Sequence, residues 1–259
     1  MAGIHVRFSA QIDGIYVLIP TTELEVMPGE AARFGLVEST DPDPQPVVLD
    51  AVVEAHKLVI GSAFTPESCQ EYLQMHSSHW LGLAFGKKAF YSGFTINGNY
   101  AYEIGSKYSE GHGYKGLPFD KARIQDGDAL EVFAFQDSYG MDYYTYFTLD
   151  GQRVKELHLA AGEKVLLKLE GLMYGYGGPM KHSDRVSHHL VSEVCESQLV
   201  TVDANTGLMI PIADAVTDED EGTVLLGFDD SGTYYVSALG GEVRYNAHLV
   251  FPWLKVTVS

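Results

Sequence analysis

The chain has little of what a catalytic or metal-binding framework is made from. Only two cysteines, Cys69 and Cys195, occur in 259 residues, so neither a disulfide framework nor a Cys-x-x-Cys metal site can be assembled from them. Buried free thiols are the simplest reading, and a bridge between them needs a fold that brings them together. Positive charge is also scarce: 17 Lys and Arg face 35 Asp and Glu, a formal net charge of −18. A nucleic-acid binder needs a basic stripe, which this sequence does not contain, and the same deficit opposes anionic membranes. No apolar run approaches a membrane span, and the N-terminus lacks the basic-then-apolar pattern of a signal peptide. Neither a Gly-x-Ser-x-Gly elbow, nor a P-loop, nor a dinucleotide fingerprint is present.

What is there points to strands. Sixteen Tyr stand against 2 Trp, and hydrophobic residues make up 46%, a balance that suits half-buried sheets and supplies cores for one large or two ordinary domains. The stretch Phe94 to Phe135 organises the rest. Asn97-Gly98 supplies the positive φ that tight hairpins need, and Asp126-Gly127-Asp128 forms a turn just ahead of alternating Leu130, Val132 and Ala134. Earlier, Ile4, Val6 and Phe8 alternate with polar residues and Ile15–Ile19 follows Asp13-Gly14, which predicts an opening hairpin. Pro28-Gly29-Glu30 is a turn. The prolines of Ser39–Pro46 exclude helix, and Leu49, Val52, Val53, His56 and Ile60 fall on one helical face that Gly61 ends. Thr65-Pro66 predicts the capped start of a short second helix. Leu81–Gly86 and Ala89–Ile96 read as strands, and the Tyr- and Gly-rich run from Tyr100 to Phe119 as a long loop. Beyond Tyr143 the sequence gives short strands punctuated by Asx and Gly turns at Asp150, Asp203, Thr217 and Asp229, the rhythm of a β-sandwich.

These residues resemble two known modules. The helix beginning at Val48, the strand Gly93–Gly98 with its Asn-Gly, and the Asp-Gly-Asp strand Ile124–Phe133, in that order, resemble the β-grasp family named for the C-terminal domain of transcobalamin, which is common in secreted proteins of Gram-positive bacteria. The Pro-rich segment before the helix and the Tyr/Gly loop after Asn97 depart from that pattern, so no cobalamin-contact residue is carried over. The phrases Ala204–Gly207, Ile210–Asp218, Gly222–Phe228, Gly232–Ala238 and Val256–Val258 are similar to immunoglobulin-like or collagen-adhesin-type stalk domains of bacterial surface proteins. The expected architecture is therefore mostly β: a β-grasp-like α+β domain over 1–150 with one or two helices, then an immunoglobulin-like sandwich over 151–259 with a loop insertion near 174–195. The resemblance implies a non-enzymatic module on a bacterial cell surface or outside the cell, with no cofactor and with a glycan or protein ligand. A corrin-type cofactor, a hydrolase with acids or histidines at the domain junction, and a purely structural stalk are the alternatives.

Candidate chemistry is sparse. His182, His188 and His189 beside Asp184, and His76 with His79 beside Trp80, suggest a metal, yet none has the His-Glu-x-x-His spacing, and solvated loop histidines are the preferred reading. The acidic run Asp218–Glu221 offers oxygen ligands without the Asp-x-Asp-x-Asp-Gly spacing of a calcium loop. Aromatic residues form the better set. Trp80, Tyr100, Tyr102, Tyr108, Tyr114, Tyr139, Tyr143 and Tyr144 crowd the long loops, where rings can stack on sugars or a flat ligand; alternate tyrosines covering a sheet face are the simpler explanation.

Overall fold

A computed structural model describes residues 2–38, 43–76, 80–89, 91–99, 117–136, 143–174, 189–242 and 248–259. The chain is mostly β, as expected, and divides into two compact units. In the first unit β1 (Ile4–Ile12) turns at Asp13-Gly14, where both residues have positive φ, into β2 (Ile15–Leu18). β3 (Glu23–Val26) pairs with the other half of the same edge of β1. Then come α1 (Glu30–Arg33), α2 (Val48–Ile60) and α3 (Cys69–Tyr72). A small sheet of β4 (Gln74–His76), β5 (Trp80–Ala84) and β6 (Lys87–Lys88) precedes β7 (Tyr91–Ile96) and β8 (Ala129–Phe135). The main sheet runs β2-β1-β8-β7, and its central pair, β1 with β8, is parallel. A parallel pair demands a long crossover, and α2 lies in that connection with its apolar face against the sheet.

The Asn-Gly and Asp-Gly-Asp motifs are joined by hydrogen bonds. Asn97 and Gly98 both have positive φ. The Asn97 side chain accepts the Ala129 N–H at 2.9 Å and donates to Asp128 at 2.8 Å, while Asp126 accepts the His5 N–H at 2.8 Å. Two separate sequence motifs therefore fix one end of β7, β8 and β1 together. Val6, Phe8, Ala10 and Ile12 face the α2 core with Leu130, Val132 and Ala134. On the opposite face Ser9, Gln11, Thr95, Phe133 and Phe135 are buried too. This burial of both faces accounts for Phe133 and Phe135 alternating with the core-facing Val132 and Ala134 of β8.

Some expectations shift. A short helix, α1, follows Gly29, where a simple turn was expected, because Gly29 is left-handed and the next turn is tied to α2. The second helix starts at Cys69, since Thr65 and Ser68 bond to one another in a preceding turn. The expected strand Ala89–Ile96 is observed as Tyr91–Ile96, and Lys87–Lys88, expected as the connection, forms β6, folded back on β5 through Phe85-Gly86 at positive φ.

The second unit holds two sheets around one core. The first contains β9 (Tyr143–Leu149), β10 (Gln152–Arg153), β12 (Lys164–Tyr174), β13 (His189–Glu193), β16 (Thr223–Gly227) and β18 (Leu249–Val250), and β11 (Glu156–Leu159) opens the other. That other sheet runs β11-β19-β17-β14-β15, with β14 (Gln198–Val202), β15 (Met209–Val216), β17 (Gly232–Leu239) and β19 (Leu254–Val258). Leu167, Leu169, Val224 and Leu226 from one sheet share a core with Leu199, Val236, Leu254 and Val256 from the other. The boundary expected at residue 150 moves earlier: β9 pairs with β12 from Tyr143↔Met173 to Thr148↔Lys168 and so belongs to the second unit. Within the insertion expected near 174–195, His189–Glu193 is strand, paired with Glu170–Tyr174; residues 175–188 lie outside the described residues.

One glycine here carries a testable consequence. A Cβ on Gly227 would clash with the Glu163 carbonyl oxygen, backbone that cannot swing aside. Gly227→Ala should therefore cost about 2 kcal/mol through overpacking. Urea unfolding followed by Trp253 fluorescence checks it, and an unchanged midpoint would contradict this packing.

Candidate functional site

The strand period decides which face each ring takes. In β17, Tyr234 turns inward and stacks on Phe228 at 3.9 Å, with its hydroxyl donating to the Asp230 carbonyl at 3.0 Å. Tyr235 turns the other way, onto the outer face of its sheet. There its ring stacks on Trp253 with centroids 5.1 Å apart and planes within 19°. Trp253 sits just before β19, whose Leu254 pairs with Val236. Both outer rings are half-buried, so each presents part of its surface to solvent.

Register places polar side chains in rows beside this pair. Glu156, Lys255 and Tyr235 lie directly across from one another on β11, β19 and β17. The next row is His158, Thr257 and Thr233. Glu156, His158 and Thr233 are exposed, and Lys255 and Thr257 half-buried. On the other side of Tyr235, Ser237 is fully buried, and its hydroxyl has no hydrogen-bond partner among the described residues. The result is an outer face with two stacked rings, an ammonium, a carboxylate, an imidazole and two accessible hydroxyls. Chemically it can hold a flat ring by stacking and read its substituents by hydrogen bonds; among the described residues it contains no nucleophile activated by a base.

The outer face of the other sheet is similar in composition and different in kind. The Arg153 guanidinium lies 3.8 Å from the centre of the Tyr146 ring, and Lys168 reaches Glu193 at 3.2 Å and Glu170 at 4.0 Å. Burial pushes the Tyr146 phenol above its ordinary range, with Arg153 opposing. Its ring face and its charges are already occupied by one another, which leaves little for a ligand.

The eight expected ligand residues do not form one site. Trp80 is half-buried on β5 and packs against the first unit's core. Tyr143 and Tyr144 are buried, at 0% and 3% exposure, so their rings are packing residues and not a stacking platform. The reason is local: Tyr143 lies over Gly171, where a Cβ would meet its ring at 2.8 Å. Tyr100, Tyr102, Tyr108, Tyr114 and Tyr139 lie outside the described residues, as do His79, His182, Asp184 and His188. His76 is exposed and pairs in register with Trp80. The acidic turn is closed on itself. Hydrogen bonds from Thr223 first, and from backbone N–H groups of Glu221, Asp220 and Thr223, hold the Asp218 carboxyl well below its usual range. Both cysteines are free; burial pushes Cys69 up to about 11, the environment of a structural thiol.

Tyr235 and Trp253 were legible in principle. In Thr233–Ala238 the core residues take alternate positions, which leaves Tyr235 outward, and Trp253 follows a proline at the start of the last strand. No protein-family model matches the chain, and no curated protein is significantly similar to it.

Proposed function

We propose that the chain is a non-enzymatic module of a bacterial cell surface or extracellular protein, and that it binds glycan through the outer face carrying Tyr235 and Trp253. The observation that carries this reading is the half-exposed Tyr235–Trp253 stack, flanked in register by Lys255, Glu156, Thr257 and Thr233. A sugar ring has one apolar face and a rim of hydroxyls, which matches aromatic rings bordered by donors and acceptors. The order of elements in the first unit, a hairpin, a crossing helix and a strand parallel to β1, supports the β-grasp reading. The two-sheet second unit supports the immunoglobulin-like one. Both fit the surface role that the sequence resemblance implies.

A glycan array probed with the full chain and with Trp253→Ala tests this. The chain should bind a saccharide, and the variant should bind it about 30-fold more weakly, the loss of one aromatic anchor worth about 2 kcal/mol. Binding that survives both Trp253→Ala and Tyr235→Ala would place the glycan site elsewhere, and no glycan binding at all would contradict the reading and leave a structural stalk.

A further inference from the structure

Among the described residues, three lysines are half-buried: Lys57, Lys168 and Lys255. Lys57 is paired with Glu54 at 2.8 Å and also with Glu30, and Lys168 with Glu193 at 3.2 Å. Lys255 has no carboxylate within 4.0 Å among the described residues, although the chain carries 35 acidic side chains. Its ammonium therefore has no protein counter-charge among the described residues, and an anion bound beside it would supply one. Its position says where that anion would lie. Lys255 is the direct cross-strand neighbour of Tyr235, their backbones one strand spacing, about 4.8 Å, apart.

We propose that the glycan selected by this face is acidic, a pyranose carrying a carboxylate of the hexuronate type, with its ring on Trp253 and Tyr235 and its carboxylate on Lys255. This rests on the glycan-binding reading above and names its substrate class. Glu156, on the far side of Lys255, opposes a carboxylate, but it is exposed and its repulsion is screened by solvent and salt. Thr257 and Thr233, in the adjacent row, supply hydroxyls to the ring substituents. The neighbouring titratable side chain there is His158.

Isothermal titration of the full chain with oligogalacturonate and oligomannuronate, each beside its methyl ester, tests the proposal, because esterification removes the charge and keeps the ring. The acid form of at least one should bind about 10-fold more tightly than its ester at low salt, the worth of one charge-assisted contact. The advantage should shrink as salt rises. Lys255→Gln should abolish the preference while retaining ester binding, and Trp253→Ala should weaken both forms. Equal affinity for acid and ester, or a preference that persists in Lys255→Gln, overturns the acidic-sugar inference alone. No binding of either form, or binding indifferent to Trp253→Ala, overturns the glycan-binding face with it.

Discussion

Replacing Asp50 by alanine should destabilise the first unit by about 4 kcal/mol, because one carboxylate satisfies three backbone donors. Asp50 is almost fully buried, at 1% exposure, in the first turn of α2. The residue capping that helix, Val47, has no side-chain acceptor, so Asp50 itself takes the Val47 N–H at 3.1 Å. The same carboxylate accepts the Ala31 N–H at 2.8 Å and the Gly29 N–H at 3.3 Å, both at the start of α1. One side chain therefore serves two helix N-termini, and its loss strands those N–H groups away from water. Burial raises its pKa, with hydrogen bonds from Ala31, Val47 and Gly29 pulling the other way. Asp50→Asn keeps the shape and one acceptor, and should cost less. Equilibrium urea unfolding monitored by Trp80, with Trp253 replaced by Phe, isolates the first unit. A loss below about 1 kcal/mol would show that the two helix ends do not depend on this carboxylate.

Acid should weaken the first unit through His56, by about 3 kcal/mol between pH 6.5 and about 4. This imidazole is fully buried in α2. Its Nδ1 donates to the Val52 carbonyl at 2.7 Å and its Nε2 accepts the Phe85 N–H at 2.8 Å, which fixes one neutral tautomer. The ring also stacks on Phe85 at 3.9 Å. Burial pushes its pKa from 6.5 to about 4. Below 6.5 the unfolded chain takes up a proton that the native imidazole refuses, so stability is full above 6.5 and falls as pH drops toward 4. Asp50 and Glu54, whose pKa values are raised by burial, act in the opposite sense at the acid end. His56→Gln separates the two effects: it should be less stable at neutral pH and lose the fall across this window. A wild-type curve that stays flat while the variant's falls would contradict the assignment.

His56 also shows the limit of reading a sequence. Its place on the apolar face of α2 followed from spacing, and so did the limits of that helix, because Gly61 ends it at positive φ. Its contact with Phe85, 29 residues away, has no local signal. The hairpin at Asp13-Gly14 and the turn at Asn97-Gly98 were legible for the same reason as the helix: a required backbone conformation restricts residue choice. The domain boundary was not, because β9 looks like any other strand and only its pairing with β12 assigns it. For the candidate site, counting tyrosines near loops selected Tyr143 and Tyr144, which are buried. The rings that face outward are set by a period of two on β17 and by the approach of β19, a partner distant in sequence.

Whether the outer face bearing Trp253 meets the ligand can be read from Trp253 itself. With Trp80 replaced by Phe, Trp253 is the sole indole of the chain, and its fluorescence can be titrated with uronate oligosaccharides. A ligand seated on this face should give a saturable change in emission that disappears in Tyr235→Ala. A saccharide that binds by calorimetry yet leaves the Trp253 emission untouched would place the binding surface elsewhere.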